Sequence, residues 1–287
     1  FVVLLATENL KITITAFCLG ILHFALTEMA FTSIWPPHQI LMPFFCWAVS
    51  CAALCGGFNV LPVVVVGGSF CVHGHIAQPL FIVPVTLFAV LIFFFAKKGK
   101  RANLGSKAQS INVTLSLFLL LIAVFPVILH FLSGPYHNLE RVLQHMRTSD
   151  EVSVSLKDSV GYNLSFLSYW GFHDEFISIR KLFREKGLLV TLLSFVVFVP
   201  ISGSFLVTVF RSTRFQILGR LLDPFRWSAF LFWLGWITLL LYILSLYWGS
   251  SIDGELYAFN SYFLYAVIFL SFFSFLFWID SLLGKSS

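Results

Sequence analysis

Gly134-Pro135-Tyr136-His137-Asn138-Leu139-Glu140-Arg141 opens, and Arg180-Lys181-Leu182-Phe183-Arg184-Glu185-Lys186 closes, a long polar segment in a 287-residue chain that is otherwise apolar. Seven of the thirteen acidic residues fall between positions 134 and 187, matched there by seven basic ones. The chain as a whole is 59% hydrophobic, 18% aromatic and 11% charged, with a mean hydropathy of +0.91. Soluble domains carry about 25% charged residues. A chain this apolar is predicted to be an all-α integral membrane protein, with the polar segment set between two groups of spans.

A spanning helix needs about 20 apolar residues. Eight stretches qualify as candidates: Leu10 to Ile34, Ile40 to Leu54, Val60 to Val72, Leu80 to Phe95, Val113 to Leu132, Leu188 to Phe210, Trp227 to Trp248 and Ser261 to Leu283. Trp35-Pro36-Pro37 stops the first, because proline restricts the residue before it and brings no donor. Gly56-Gly57 breaks the second, and Pro126 is a predicted kink in the fifth. The third is short, and it either spans or is re-entrant. The resulting division is spans one to five over residues 1–134, a polar segment over 135–187, and spans six to eight over 188–287.

Loop charge sets the orientation. Residues 97–107 hold five basic side chains and no acid; residues 211–226 hold four basic side chains and Asp223. Short basic loops of this kind face the cytoplasm, so the segment 135–187 is predicted to be extracytoplasmic, on the outer side of a cell (inner) membrane. Residues 73–79 and 249–260 fall on that side too, and residues 35–39 join them if the third segment spans. Trp35, Tyr136, Trp248 and Tyr257 fit an outer aromatic belt.

Two helices are legible in the polar segment. Asn138 is a good N-cap, followed at helical spacing by Leu139, Val142, Leu143 and Met146. Phe176, Ile179, Leu182 and Phe183 form a second stripe, with Arg180, Lys181, Arg184 and Lys186 around it, as in a helix lying in the membrane interface. The mixed stretch from Ser149 to Tyr169 is assigned no regular structure.

Several functions are disfavoured. The charge of +5 reports membrane topology rather than nucleic-acid binding. Cys18, Cys46, Cys51, Cys55 and Cys71 all sit in apolar runs, where they read as packing residues rather than disulfides. Gly67-Gly68-Ser69 lies inside a span and reads as close helix packing. No nucleotide-binding glycine loop, HExxH or Gly-x-Ser-x-Gly motif occurs. Residues 1–9 do not resemble a signal peptide, and the chain starting at Phe1 is expected to be part of a longer protein or to work with a partner subunit. Of two glycosylation sequons, Asn163-Leu164-Ser165 is the one on the outer side.

The candidate chemistry is histidine-based. His73, His75, His137 and His173 converge on the outer side, with His38 if the third segment spans. They read either as polar residues capping helix ends or as contacts to a substrate; His73 and His75 together hold one metal or phosphate only if further ligands join them. No cofactor is expected, and a divalent metal has no complete ligand set. Arg180 and Arg184 either anchor an interfacial helix or grip a lipid phosphate, for which the guanidinium fork is suited. Glu28 and His23 lie within the first span and, in a second reading, line an ion or proton path. His23 and His130 fall at unequal depths for a bis-histidine haem.

A succession of short motifs carries a resemblance. Trp35-Pro36-Pro37 precedes Leu41-Met42-Pro43-Phe44. Val66-Gly67-Gly68-Ser69-Phe70-Cys71-Val72-His73-Gly74-His75 follows. Phe125-Pro126-Val127-Ile128 then runs into Leu132-Ser133-Gly134-Pro135-Tyr136-His137-Asn138-Leu139, and Asp253-Gly254-Glu255-Leu256-Tyr257 opens the last span. This order resembles prokaryotic multi-pass GT-C-type glycosyltransferases, in which Trp-Asn-Pro, Ser-x-x-x-Gln-x-His and Gly-Asn-Leu occupy these places. His75 and Asn138 agree with the pattern; Pro36, His73 and His137 depart from it.

The resemblance implies transfer of a sugar from a polyprenyl-phosphate donor on the extracytoplasmic face. It also implies a catalytic carboxylate in an early outer loop, which this chain lacks, so that it would be the C-terminal, carrier-binding part. Catalytic residues are therefore unknown. His75 and Asn138 are the first candidates for substrate binding, His73 and Arg141 the second, with His38, Arg180 and Arg184 around them. The expected partners are a lipid-linked sugar and membrane lipids. The alternative is a transporter or lipid-handling subunit without chemistry.

Overall fold

The computed structural model describes residues 10–27, 32–95, 106–133, 154–168, 184, 187–189, 191–192, 194, 229–252 and 256–283. Among them there are helices and turns and no strand. The helices are α1 (Leu10–Leu26), α2 (Pro36–Gln39), α3 (Leu41–Cys55), α4 (Leu61–Gly74), α5 (Gln78–Phe95), α6 (Ser106–Ser133), α7 (Leu156–Ser165), α8 (Ala229–Ser250) and α9 (Leu264–Leu283). Four stretches are long and apolar enough to cross a membrane: Pro36–Cys55, Gln78–Phe95, Gln109–Leu129 and Phe232–Ser250. Thr13–His23, Leu61–Gly74 and Leu264–Phe275 are shorter apolar helices. Seven of the eight sequence candidates thus fall on apolar helices; the stretch Leu188 to Phe210 lies almost wholly outside the described residues.

Local chemistry explains most boundaries. Trp35-Pro36-Pro37, expected to stop the first helix, opens the next one instead. The first helix ends at Leu26, and the prolines take the first positions of the next, where a missing N–H costs nothing and φ is already helical. At the far end of α3, Gly57 adopts φ +95. Its N–H reaches Leu54 O and that of Phe58 reaches Ala53 O, the pairing that closes a helix over a left-handed residue.

α3 is the centre of the bundle and touches α4, α5, α8 and α9. Trp47 is fully buried there, its Nε1 donating to Thr86 Oγ1 at 3.0 Å. α4 approaches closely because Gly67 and Gly68 lack side chains. A Cβ on Gly67 would stand 3.0 Å from Trp47 Cβ, and one on Gly68 would stand 3.0 Å from Ile82 Cγ2. The close-packing reading of that glycine pair holds. Cys51, Cys55 and Cys71 are buried among the packed helices, while Cys18 and Cys46 are exposed; all five are free thiols.

The helix ends fall into two groups. At one end, Asn112 Nδ2 donates to Asn59 O, and Gly56 lies against the backbone of Phe230. The opposite end gathers the turn at 33–40, the turn at 74–78, α7 and residues 248–252 and 256–263. α4 runs from the first group to the second. Its 14 residues make it about 21 Å long, short of the roughly 30 Å of a bilayer core. The turn it feeds is consequently sunk. His73 is level with Ala123 of α6, six residues or about 9 Å short of Leu129, where the apolar window of α6 ends.

The stretch expected to be irregular between Ser149 and Tyr169 contains α7. Ser155 caps it: its hydroxyl accepts from Asp158 N at 3.1 Å and donates to Asp158 Oδ2 at 2.7 Å. The 3-10 turn Phe166–Ser168 follows directly. Asn163, read as an outer glycosylation site, is buried within α7 with its Nδ2 donating to Ser159 O and Ser245 O. The atom a sugar would be attached to is occupied inside the bundle.

Candidate functional site: a histidine-bearing polar end of the bundle

His73 and His75 are neighbours in sequence with different partners. Gly74 between them lies against Ile40, and a side chain at 74 would collide with that residue. α4 ends there, and His75 is extended at φ −159, ψ 138. His75 Nδ1 accepts the N–H of Ala77 at 3.1 Å, which starts the turn into α5. A ring nitrogen that accepts carries no proton, so the neutral ring of His75 is the Nε2–H tautomer. The ring faces Trp248 and Phe263, with centroids 6.4 and 6.2 Å away. Burial holds the His75 imidazole below its ordinary pKa, and it is neutral at pH 7.

His73 turns the other way. Its Nε2 meets Ala123 O of α6 at 2.9 Å. A carbonyl accepts, so Nε2 is the donor. The contact sits one turn before Pro126, which has no N–H and leaves the carbonyl of Ile122, next to Ala123, without its helical donor. The predicted kink position is therefore where a neighbouring helix supplies a hydrogen bond. With one ring bonded to α6 and the other facing Trp248, the two imidazoles do not share one centre, and the described residues contain no group of three or more His, Cys, Asp or Glu able to hold a metal ion.

His38 belongs to the same end. It is buried, edge-on to Trp35 at 5.2 Å and tilted on Tyr262 at 4.4 Å. Tyr262 donates to Thr27 O at 3.2 Å. Phe263, the next residue, packs on Phe44, Phe81 and His75. The dipeptide Tyr262-Phe263 thus separates His38 from His75 while touching both. The segment before it is pinned twice: Trp248 Nε1 donates to Asn260 O and Ser261 Oγ, and Tyr162 donates to Tyr257 O at 2.7 Å.

Polar atoms of three residues here are buried without a protein partner among the described residues: Nδ1 of His38, Oδ1 of Asn163 and both amide atoms of Gln78. Gln78 is fully buried, one turn ahead of Phe81 on the same face of α5. Sequence reading passed over it. Its signal was position: an amide at the head of an apolar span, three residues after His75. An unpaired buried amide costs about 1–3 kcal/mol. Gln78→Met, which keeps length and flexibility while removing both polar atoms, is expected to raise the thermal unfolding temperature in detergent. A drop of similar size would show that the amide is satisfied in the folded protein.

The end therefore presents neutral donors and acceptors: the Nε2–H of His75, Nδ1 of His38 and the amide of Gln78. Asp158 is the one acidic residue whose side chain is described, and it is engaged by Ser155. Groups of this type suit recognition of hydroxyl and phosphoryl oxygens. His23, read as lining a path, is buried and stacks on Phe269 at 4.6 Å. Arg184 is exposed. Asn138, Arg141, Arg180, His137, His173 and Glu28 lie outside the described residues, as do the basic loop at 211–226, most of that at 97–107, and the stripe Phe176 to Phe183; the side chain of His130 does too.

No family model, curated protein or solved structure matches this chain.

Proposed function

We propose that the chain is a GT-C-like glycosyltransferase, or the carrier-binding half of one. It takes a sugar from a polyprenyl-phosphate donor on the extracytoplasmic face of the cell (inner) membrane. In this reading eight spans cross the bilayer, the segment 135–187 is outside, and the isoprenoid phosphate enters from the lipid beside His75. Arg141, Arg180 and Arg184 would supply cations for the phosphate, and Asn138 a neutral amide.

The observation that carries the reading is the sunken turn at His75. A polyprenyl-phosphate headgroup sits at the membrane surface with its chain in the hydrocarbon. A protein that handles it needs uncharged polar groups below the interface, and such groups must otherwise pay for their burial. His38, His75 and Gln78 are groups of that kind, drawn together from separate helices around Tyr262-Phe263.

The test uses the full-length protein in vesicles with a photoreactive polyprenyl phosphate. Cross-linking to residues of the 33–40 and 74–78 turns, competed by unlabelled polyprenyl-phosphate sugar and not by free polyprenol, is expected. Labelling spread evenly over lipid-exposed helices, or unaffected by the competitor, would overturn the assignment.

A further inference from the structure

We propose that α7, although it lies in the polar segment, is seated in the acyl-chain region of the bilayer, with the edge Leu156 and Val160 turned to lipid. This does not depend on the proposed function. Its first support is reversed polarity. A helix at a water-facing surface buries its apolar stripe and exposes its polar side chains. α7 keeps Ser155, Lys157 and Asp158 exposed at its start but otherwise reverses the pattern. Ser159, Tyr162, Asn163 and Ser165 are buried, while Leu156 and Val160 are 66% and 38% exposed. The inward donors are matched: Ser159 Oγ donates to Leu246 O at 2.7 Å, Asn163 Nδ2 to Ser245 O at 3.2 Å and to Ser159 O at 2.8 Å, and Ser165 Oγ to Tyr162 O at 2.6 Å, while Asn163 Oδ1 is buried without a partner among the described residues.

Depth is the second support. Ser245 and Leu246 lie inside the candidate span Phe232–Ser250, five and four residues from its end, or about 6–8 Å below it. Gly249 makes the approach possible, since a Cβ there would stand 2.5 Å from Ser159 Oγ. The charges give the third support. Lys157 and Asp158 are confined to the first turn of α7, and no charged residue follows before Ser168. The helix thus carries its charges at its capped N-terminus and crosses α8 at the level of Ser245 to Gly249, with hydroxyl and amide against it. Its outward groups at that depth are hydrocarbon, and acyl chains are the occupant that matches them. A polar stretch reaches membrane depth because its polarity is spent on a neighbouring helix.

The test is nitroxide depth measurement on the full chain in phosphatidylcholine–phosphatidylglycerol vesicles. Cysteine would be placed singly at Leu156→Cys, Val160→Cys and Lys157→Cys, in a Cys18→Ala, Cys46→Ala background that removes the two exposed native thiols. Collision with oxygen should exceed collision with a water-soluble nickel chelate at 156 and 160, and the order should reverse at 157. Chelate dominance at 156 and 160 would place α7 in water and overturn the proposal. Low collision with both reagents would mean that protein, a second copy or another subunit, covers the edge, and would overturn it equally.

Discussion

Trp47→Ala is expected to cost about 3–5 kcal/mol, the usual range for removing a fully buried aromatic side chain. The position explains why the upper part of that range applies. Trp47 supports the glycine face of α4, packs on Phe44 at 5.2 Å, and ties α5 through Thr86. Gly67 and Gly68 cannot move in to fill the space without side chains of their own. Thr86, half-buried and also bonded to the Cys51 thiol, loses one of its partners. Reversible unfolding in mixed micelles would measure it. Trp47→Phe, which keeps most of the volume and loses the Nε1 donor, should cost much less. A loss under about 1 kcal/mol for the alanine variant would mean that α3 is not the centre of the bundle.

The second large effect is at His75. His75→Ala removes both ring nitrogens; His75→Asn restores an acceptor where Nδ1 holds the Ala77 N–H and removes only the Nε2 side. Both variants are expected to lose binding of a polyprenyl-phosphate sugar by roughly ten- to a hundred-fold, the cost of about 1.4–2.8 kcal/mol from a lost hydrogen bond in a desolvated site. The asparagine variant should keep the wild-type unfolding temperature at pH 7.5. Unchanged binding in His75→Asn would remove the histidine from the site.

The same residue gives a pH signature. Its folded pKa is below the ordinary value of about 6.5, so the unfolded chain takes up a proton that the folded protein resists. The stability tied to neutral His75 is therefore complete above about pH 6.5 and is lost as pH falls through the depressed folded value. Unfolding temperature should decline as the pH is lowered below 6.5, and His75→Asn should flatten that decline. Equal slopes for the two proteins would show that His75 is as accessible to protons folded as unfolded.

Much of the fold was legible because it rests on one term, apolar length. Seven candidate spans match helices to within a few residues, apart from the first, which ends at Leu26 rather than near Ile34, and the fifth, which begins at Ser106 rather than Val113. Where the proline pair opens a new helix, the sequence rule allowed either outcome, and packing of His38 against Tyr262 accompanies the one adopted. α7 escaped for a different reason. Its sequence, Leu156 to Ser165, carries polar residues that look like surface until Ser245, Leu246 and Gly249 are seen beside them. The Ser155-x-x-Asp158 cap was the available signal.

The site was legible only as a list of histidines. Proximity of His38 to Tyr262, and the divergence of His73 from His75, depend on contacts between residues far apart in the chain. Gln78 has no sequence mark of its own. What the charge pattern did predict was a single side for residues 73–79 and the segments 135–187 and 249–260, with residues 35–39 joining them if the third segment spans. The helix packing brings the turns at 33–40 and 74–78 and residues 154–168, 248–252 and 256–263 to one end of the bundle.

Sidedness is best tested by labelling whole cells with a membrane-impermeant maleimide, using Lys157→Cys and Lys100→Cys in the Cys18→Ala, Cys46→Ala background. The expected result is modification at 157 in intact cells, with 100 modified only after permeabilisation. Modification at 100 in intact cells with 157 protected would put the histidine-bearing end in the cytoplasm and leave an extracytoplasmic lipid-linked donor no route to it.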